Sequence, residues 1–263
     1  MPIAVAALVL YLLAATLLAT GLRRDPAHPG RTWLAIALAA IACHAAVHGV
    51  AWHLAQGPDM HFFAALSLSA LGMASLTSLL ARDGGIAALG IVVFPLAGIF
   101  ALLYELHGHP PATAMDWQLQ LHAWCALLAY ATLAIAALLA VLLWIQEHAL
   151  RQRSFHGWMR ALPPLTELET LLFRTITVGF VLLTATLLSG LLFVHDLLGQ
   201  HLAHKTLLSV LSWLVFGALL WGRWRRGWRG MTAVRWTLVA MGLLMLAFFG
   251  SQFVLELVLH RAP

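Results

Sequence analysis

Fourteen histidines and a single lysine, Lys205, stand out in a chain of 263 residues of which only 10% are charged. A neutral imidazole offers a lone pair to a transition metal or a haem iron, and its two nitrogens can pass a proton. Four of these histidines, His122, His195, His204 and His260, mark the ends of four different apolar segments. Helix ends from one bundle can converge on one shallow site. Haem needs one or two axial histidines, a large apolar pocket and a cation for its propionates. Lys205, beside His204, supplies such a cation. His44 falls near mid-membrane, where an ionisable group is costly and a functional candidate by default. His48 lies one turn above it on the same face. The candidate cofactor-binding residues are therefore His122, His260, His204, Lys205, His195 and His44, and the cofactor they suit is haem.

Blander readings stand beside these. An interfacial histidine can be a wet amphipathic side chain, and His44 can be a neutral imidazole hydrogen-bonded between helices. Lys205 can be a helix-start residue whose ammonium snorkels to the interface. A transition metal would need two to four ligands, with carboxylate help from Asp196, Glu105, Asp116 or Glu256. Glu256 and His260 are spaced i, i+4, so that the carboxylate could orient the ring. The two cysteines, Cys43 and Cys125, lie in separate apolar runs without a CxxC, and read as small buried hydrophobes rather than a thiol–disulfide pair.

The elements that must position these groups are membrane helices. The chain is 62% hydrophobic with a mean hydropathy of +0.89, whereas soluble domains carry about 25% charged residues. Eight apolar segments, at 3–22, 32–55, 61–80, 86–106, 118–146, 171–195, 204–222 and 232–258, are each long enough to cross a bilayer. The expected fold is an all-α polytopic bundle of eight transmembrane helices, forming one integral membrane domain over 1–263. Thr166 and Glu169, after Pro163-Pro164, form a capping box that would start the sixth helix. The first 22 residues carry no charged side chain, so the first segment reads as a retained helix and not a cleaved signal. Thirteen of the fifteen Lys and Arg residues fall on alternate connectors of one side, leaving Lys205 and Arg261 on the other. The positive-inside rule then places both termini and the histidine-rich ends outside. The basic net charge of +5 comes from this bias and does not point to nucleic acid. The expected partners are membrane lipid and haem.

Three stretches resemble the cytochrome c assembly proteins, the CcsA/CcmC haem-handling family. LHAWCALLAY (121–130) is similar to the segment around that family's first periplasmic histidine, with His122 and Tyr130 holding its spacing. HKTLLSVLSWLVFGALLWGRWRRGWRGMTAVRW (204–236) resembles the stretch after the family's tryptophan-rich loop, with Lys205 at the lysine that closes the loop and Trp213 at a helix tryptophan. AFFGSQFVLELVLH (247–260) resembles the last helix, near whose end the second periplasmic histidine stands; His260 aligns within about a residue. The resemblance spans roughly 60–260, is strongest over 118–260, and is closest to the HemX/YpjD-like inner-membrane branch. The sequence departs from the family where its Trp-Asp-Pro-Lys-Glu loop reads GQHLAHK, and where a seventh-helix histidine is Trp221.

The resemblance implies a bacterial inner-membrane protein, its histidine-rich face periplasmic, that transports, presents or senses haem for cytochrome c or haem biogenesis. His122 would be an axial ligand with His260 or His204 as partner. Lys205 would meet a propionate, and His44 and His195 would be secondary ligands or relay points. No catalytic nucleophile or ATP site is visible, so the expectation is a non-enzyme. The rivals are a non-catalytic scaffold or regulator of a partner complex, and a metal-ion transport accessory protein using His44, His48 and outer carboxylates.

Overall fold

A computed structural model describes residues 1–25, 30–55, 57, 59–81, 87–107, 116–152, 164–193 and 200–250. It is all-helical. The helices are α1 (Pro2–Arg24), α2 (Thr32–Ala55), α3 (Phe62–Leu80), α4 (Gly90–Leu106), α5 (Trp117–Arg151), α6 (Leu165–Phe193), α7 (Gln200–Arg226) and α8 (Gly230–Met245). A short 3₁₀ turn, Ala87–Leu89, leads into α4, and a π turn, Leu246–Gly250, continues α8. All eight segments are long and apolar enough to cross a membrane. His195 and His260 lie outside the described residues.

The chain gathers into two compact units. The first holds α1–α4 and the second holds most of α5 with α6–α8. In the first, α1 buries Ala4, Ala7, Tyr11, Ala14, Ala15 and Leu18, a stripe at helical spacing. Small residues matter here because lipid tails are as apolar as leucine, so helix association rests on close backbone approach rather than on a hydrophobic drive. Gly98 of α4 marks a close approach to the backbone of another helix: a Cβ there would stand 3.0 Å from the Leu8 Cα of α1. Large side chains such as Leu54, at 79% exposure, face outward, as the lipid solvent requires.

In the second unit, hydrogen bonds tie neighbouring helices. The Ser212 hydroxyl donates to the Ala240 carbonyl (2.8 Å), and the Trp213 indole N–H donates to Thr184 Oγ1 (2.9 Å) while its ring stacks on Phe180. The Tyr130 hydroxyl donates to the Leu244 carbonyl (2.8 Å), beside the change from α to π winding. The turn between α7 and α8 is built from glycine. Gly227, at φ +65°, ends α7 with its N–H on the Arg223 carbonyl (3.1 Å).

The capping box does not form as the sequence suggests. Helix α6 already begins at Leu165, so Thr166 lies inside it. Glu169, buried within α6, caps a different helix: it accepts the Gly230 N–H at the first residue of α8 (2.6 Å) and the Arg229 Nε–H (2.8 Å). The charge of a carboxylate suits the positive end of a helix dipole, and here the long-range partner outweighs the local one.

Replacing Gly98 by Ala must push α1 and α4 apart. The expected cost is about 1–3 kcal/mol, as for other overpacked sites. Gly49→Ala, at a position where a Cβ would meet nothing within 4 Å, should be neutral. Thermal unfolding of both variants in detergent compares them directly; equal midpoints would contradict the close approach.

Candidate functional site

His122 sits in the second turn of α5, half-buried. Its Nδ1 lies 3.0 Å from Ser189 Oγ of α6. Ser189 has spent its own proton, since its hydroxyl donates to the Thr186 carbonyl (3.0 Å). In that arrangement the serine oxygen is open to accept the imidazole proton at Nδ1, and the lone pair then stays on Nε2. Beside Ser189, Gly190 leaves room for the ring: a Cβ there would stand 3.1 Å from His122 Cε1. A hydrogen bond to one imidazole nitrogen that frees the other is the arrangement that orients an iron or metal ligand. Trp117 and Phe193 lie against each other at the same end of α5 and α6 (ring centroids 6.3 Å). The residues present fit a haem ligated by His122.

Lys205 is on α7, within its first two turns, and half-buried. Its Nζ stands 5.9 Å from the centre of the Phe248 ring, a cation–π contact. Phe248 and Phe249 both pack on Tyr130 of α5. His204 is exposed beside Lys205.

His44 belongs to the first unit, and its environment is of another kind. Fully buried, it has both ring nitrogens engaged: Nε2 with Ser67 Oγ of α3 (2.8 Å), Nδ1 with the Tyr11 hydroxyl of α1 (3.3 Å). His48 stacks against it and places its own Nε2 on the same Ser67 oxygen (2.9 Å). A third cluster caps this unit at the arginine-poor end of its helices. There Asp59 Oδ1 takes His61 Nδ1 at 2.5 Å, and Asp59 Oδ2 takes the Tyr104 hydroxyl at 3.2 Å. The Met1 ammonium pairs with Glu105 at that end too. Burial pushes the Asp59 carboxyl up, but the hydrogen bond and charge of His61, with the Tyr104 hydroxyl, outweigh it and hold the group below the usual carboxylate range. Among the described residues, no three His, Cys, Asp or Glu side chains gather as a metal-binding group.

Comparison with known proteins gives the family. The profile of the family described as Cytochrome C assembly protein matches residues 32–259. The chain belongs to the cytochrome c assembly protein family. It is 33% identical to the Inner membrane protein YpjD of Escherichia coli (strain K12) over 273 residues, covering 98% of this chain and all of that one. It is 35% identical over 170 residues to an uncharacterized 28.8 kDa protein of Azospirillum brasilense, covering 62% of this chain and 61% of that one. It is 31% identical to the Cytochrome c biogenesis protein CcsA of Synechococcus sp. (strain CC9311) over 170 residues, about half of either chain. No solved structure matches. The family match begins at residue 32 and so takes in α2, ahead of the stretch of roughly 60–260 that the resemblance covered.

Within this cytochrome c assembly protein, the structure separates residues that the sequence put together. His122, Lys205 and His204 stand in the second unit, whereas His44 pairs with His48 in the first. Sequence reasoning missed Ser189 and Gly190, whose role depends on helix contact, and it passed over Tyr11, Ser67 and Tyr104 as plain helix residues. Asp59 was visible only as a loop residue, although the Asp-x-His spacing of Asp59 and His61 could have flagged it.

The Asp59 carboxylate generates a pH expectation. Its pKa is depressed in the folded state, so its contribution is full above the unfolded value of about 3.9 and fades as the pH falls below it. Asp59→Asn should cost about 1–3 kcal/mol near neutral pH. Its thermal midpoint should approach that of the wild type as the pH falls below about 4. A gap that stays constant across this range would contradict the assignment.

Proposed function

We propose that this inner-membrane member of the cytochrome c assembly family handles haem at a periplasmic site built on His122, and that it transports, presents or senses the cofactor for a biogenesis partner without catalysing a reaction of its own. The observation that carries this reading is the orientation of His122. Its Nδ1 lies on Ser189 Oγ, whose hydroxyl donates to the Thr186 carbonyl, an arrangement that suits a proton on Nδ1 and a lone pair on Nε2, in a chain of a family named for cytochrome c assembly.

Each residue has a task in this reading. His122 supplies the ligating nitrogen, Ser189 fixes its tautomer and Gly190 lets the ring lie close to α6. Lys205 holds a positive charge at the end of α7 where propionates would lie, its ammonium over the Phe248 ring. His260 or His204 would supply a second ligand, with His195 in a secondary place. Haem, when bound, supplies an iron whose spin and redox state depend on these ligands. His44, with both nitrogens bonded inside the first unit, is removed from the ligand set. Location in the inner membrane with the His122 end periplasmic is supported by the arginine bias and by the name of the Escherichia coli relative.

The test is an absorption spectrum of the detergent-purified chain, as isolated and with hemin added. Wild type should give a Soret band near one haem per chain. Ser189→Ala should lower affinity by about ten- to a hundredfold, as loss of a partner that orients a ligand does, and His122→Ala by more. No band in folded wild type would move the account to a scaffold that regulates a partner.

A further inference from the structure

Five arginines, Arg223, Arg225, Arg226, Arg229 and Arg235, cluster about the turn from α7 to α8. Two of them hold the turn itself. Arg223 lies over the Phe173 ring of α6 (4.7 Å) and donates from its guanidinium to the Trp228 carbonyl (3.2 Å). Arg229 is held by the Glu169 carboxylate. Trp228 completes the turn: its indole lies on Gly222, where a Cβ would run into it, and packs on Trp236 (5.2 Å). Arg225, Arg226 and Arg235 are exposed, and among the described residues no carboxylate is bonded to any of them.

Arg225 differs from the other two in what surrounds it. Its guanidinium lies over two indoles at once, Trp221 (5.9 Å) and Trp224 (5.6 Å), whose rings meet edge to face (5.4 Å). Trp221 is 62% exposed and Trp224 72%, so neither ring fills the core. An indole at the end of a membrane helix belongs at the headgroup level, where its apolar body meets acyl chain and its N–H meets polar groups. Two such rings keep the guanidinium near one place. That lowers the side-chain entropy it loses on binding an anion, and its N–H fork matches the oxygens of a phosphate.

The face of α7 that leads to Arg225 is apolar. Leu207, Leu211, Leu214, Trp221 and Arg225 follow one another at steps of four, three, seven and four residues, and all are exposed, so they form one outward stripe. Leu214 to Arg225 is a rise of ~16 Å at 1.5 Å per residue, about half of the ~30 Å hydrocarbon core. That is the depth of one leaflet. A basic head on a track of this length fits a molecule with a phosphate at one end and an acyl chain at the other.

We propose that Trp221, Trp224 and Arg225 form a headgroup site for an anionic phospholipid, with an acyl chain along the Leu214 stripe. Charge selects among lipids. A guanidinium attracts phosphatidylglycerol, whose phosphate is its only ionised group, and gains little from phosphatidylcholine, whose own trimethylammonium answers the phosphate. The track selects against a soluble phosphate, which would leave both indoles and the leucine stripe without a role. Arg226, at the next position, adds charge at the same level without an indole to hold it. The site uses none of the residues assigned to haem, so its test is separate from that of His122.

The experiment is native mass spectrometry of the full chain, released from detergent micelles that hold phosphatidylglycerol and phosphatidylcholine of the same acyl chains in equal amounts. Wild type should keep one phosphatidylglycerol in preference to phosphatidylcholine. Arg225→Gln should lower that preference about fivefold, the effect of one arginine near an anionic surface. Trp221→Leu with Trp224→Leu keeps every charge, and should lower it about two- to fivefold through the lost cation–π contacts. Arg24→Gln, which removes the same charge from the exposed last turn of α1, should leave it unchanged. All four side chains are exposed, so the variants should unfold at the wild-type midpoint. Inorganic phosphate added at the lipid's concentration should not displace the lipid; displacement would show a plain anion site and overturn the assignment. Equal retention of the two lipids by wild type would also overturn it. So would a loss in Arg24→Gln as large as in Arg225→Gln, or full preference in the tryptophan pair, either of which would leave these arginines as a general positive belt.

Discussion

Lipid cannot hydrogen-bond, and the whole structure answers to that constraint. A polar group buried in a membrane helix must find its partner within the protein or cost several kcal/mol, on the order of a full desolvation penalty. The threonines along α5, α6 and α8 meet it locally, their hydroxyls returning to the carbonyl one turn earlier, as Thr132, Thr175, Thr186 and Thr237 do. Imidazoles are too long for that and must reach another helix. Their partners therefore fix which helices lie together: Ser67 and Tyr11 for His44, Ser189 for His122.

The same constraint gives the two histidines different surroundings. His44 has both nitrogens bonded, and its site is closed to an iron. His122 has one ring nitrogen, Nδ1, on a serine oxygen whose hydroxyl also reaches the Thr186 carbonyl. A histidine oriented but not satisfied is prepared for a ligand. Glycines make room for this: Gly190 under His122, Gly179 against Leu133 and Gly98 against Leu8 are among the points where a single methyl would crowd the packing.

Much of the scaffold was legible in the sequence. All eight spans follow from apolar length. The helix starts and stops, such as Pro2 in the first turn of α1 and Gly227 after α7, follow from ordinary backbone preferences. His48 one turn above His44 was a consequence of helical spacing. Other features were not legible because they depend on tertiary contact. The capping box at Thr166 and Glu169 is a local pattern, yet the Glu169 carboxylate is taken by Gly230 and Arg229 sixty residues on. Ser189 is an ordinary helix serine until α6 meets α5. Histidine spacing likewise could not show that His44 and His122 belong to separate units, since both stand in apolar runs of the same composition.

The central claim is the proton position on His122, and nitrogen-15 NMR of histidine-labelled chain in lipid reads it directly, with His122→Gln providing the assignment by difference. At neutral pH the account predicts a neutral ring protonated on Nδ1, with an unprotonated Nε2 whose signal alone is lost or strongly shifted when hemin is added. A proton on Nε2, or an Nε2 signal indifferent to hemin, would contradict it.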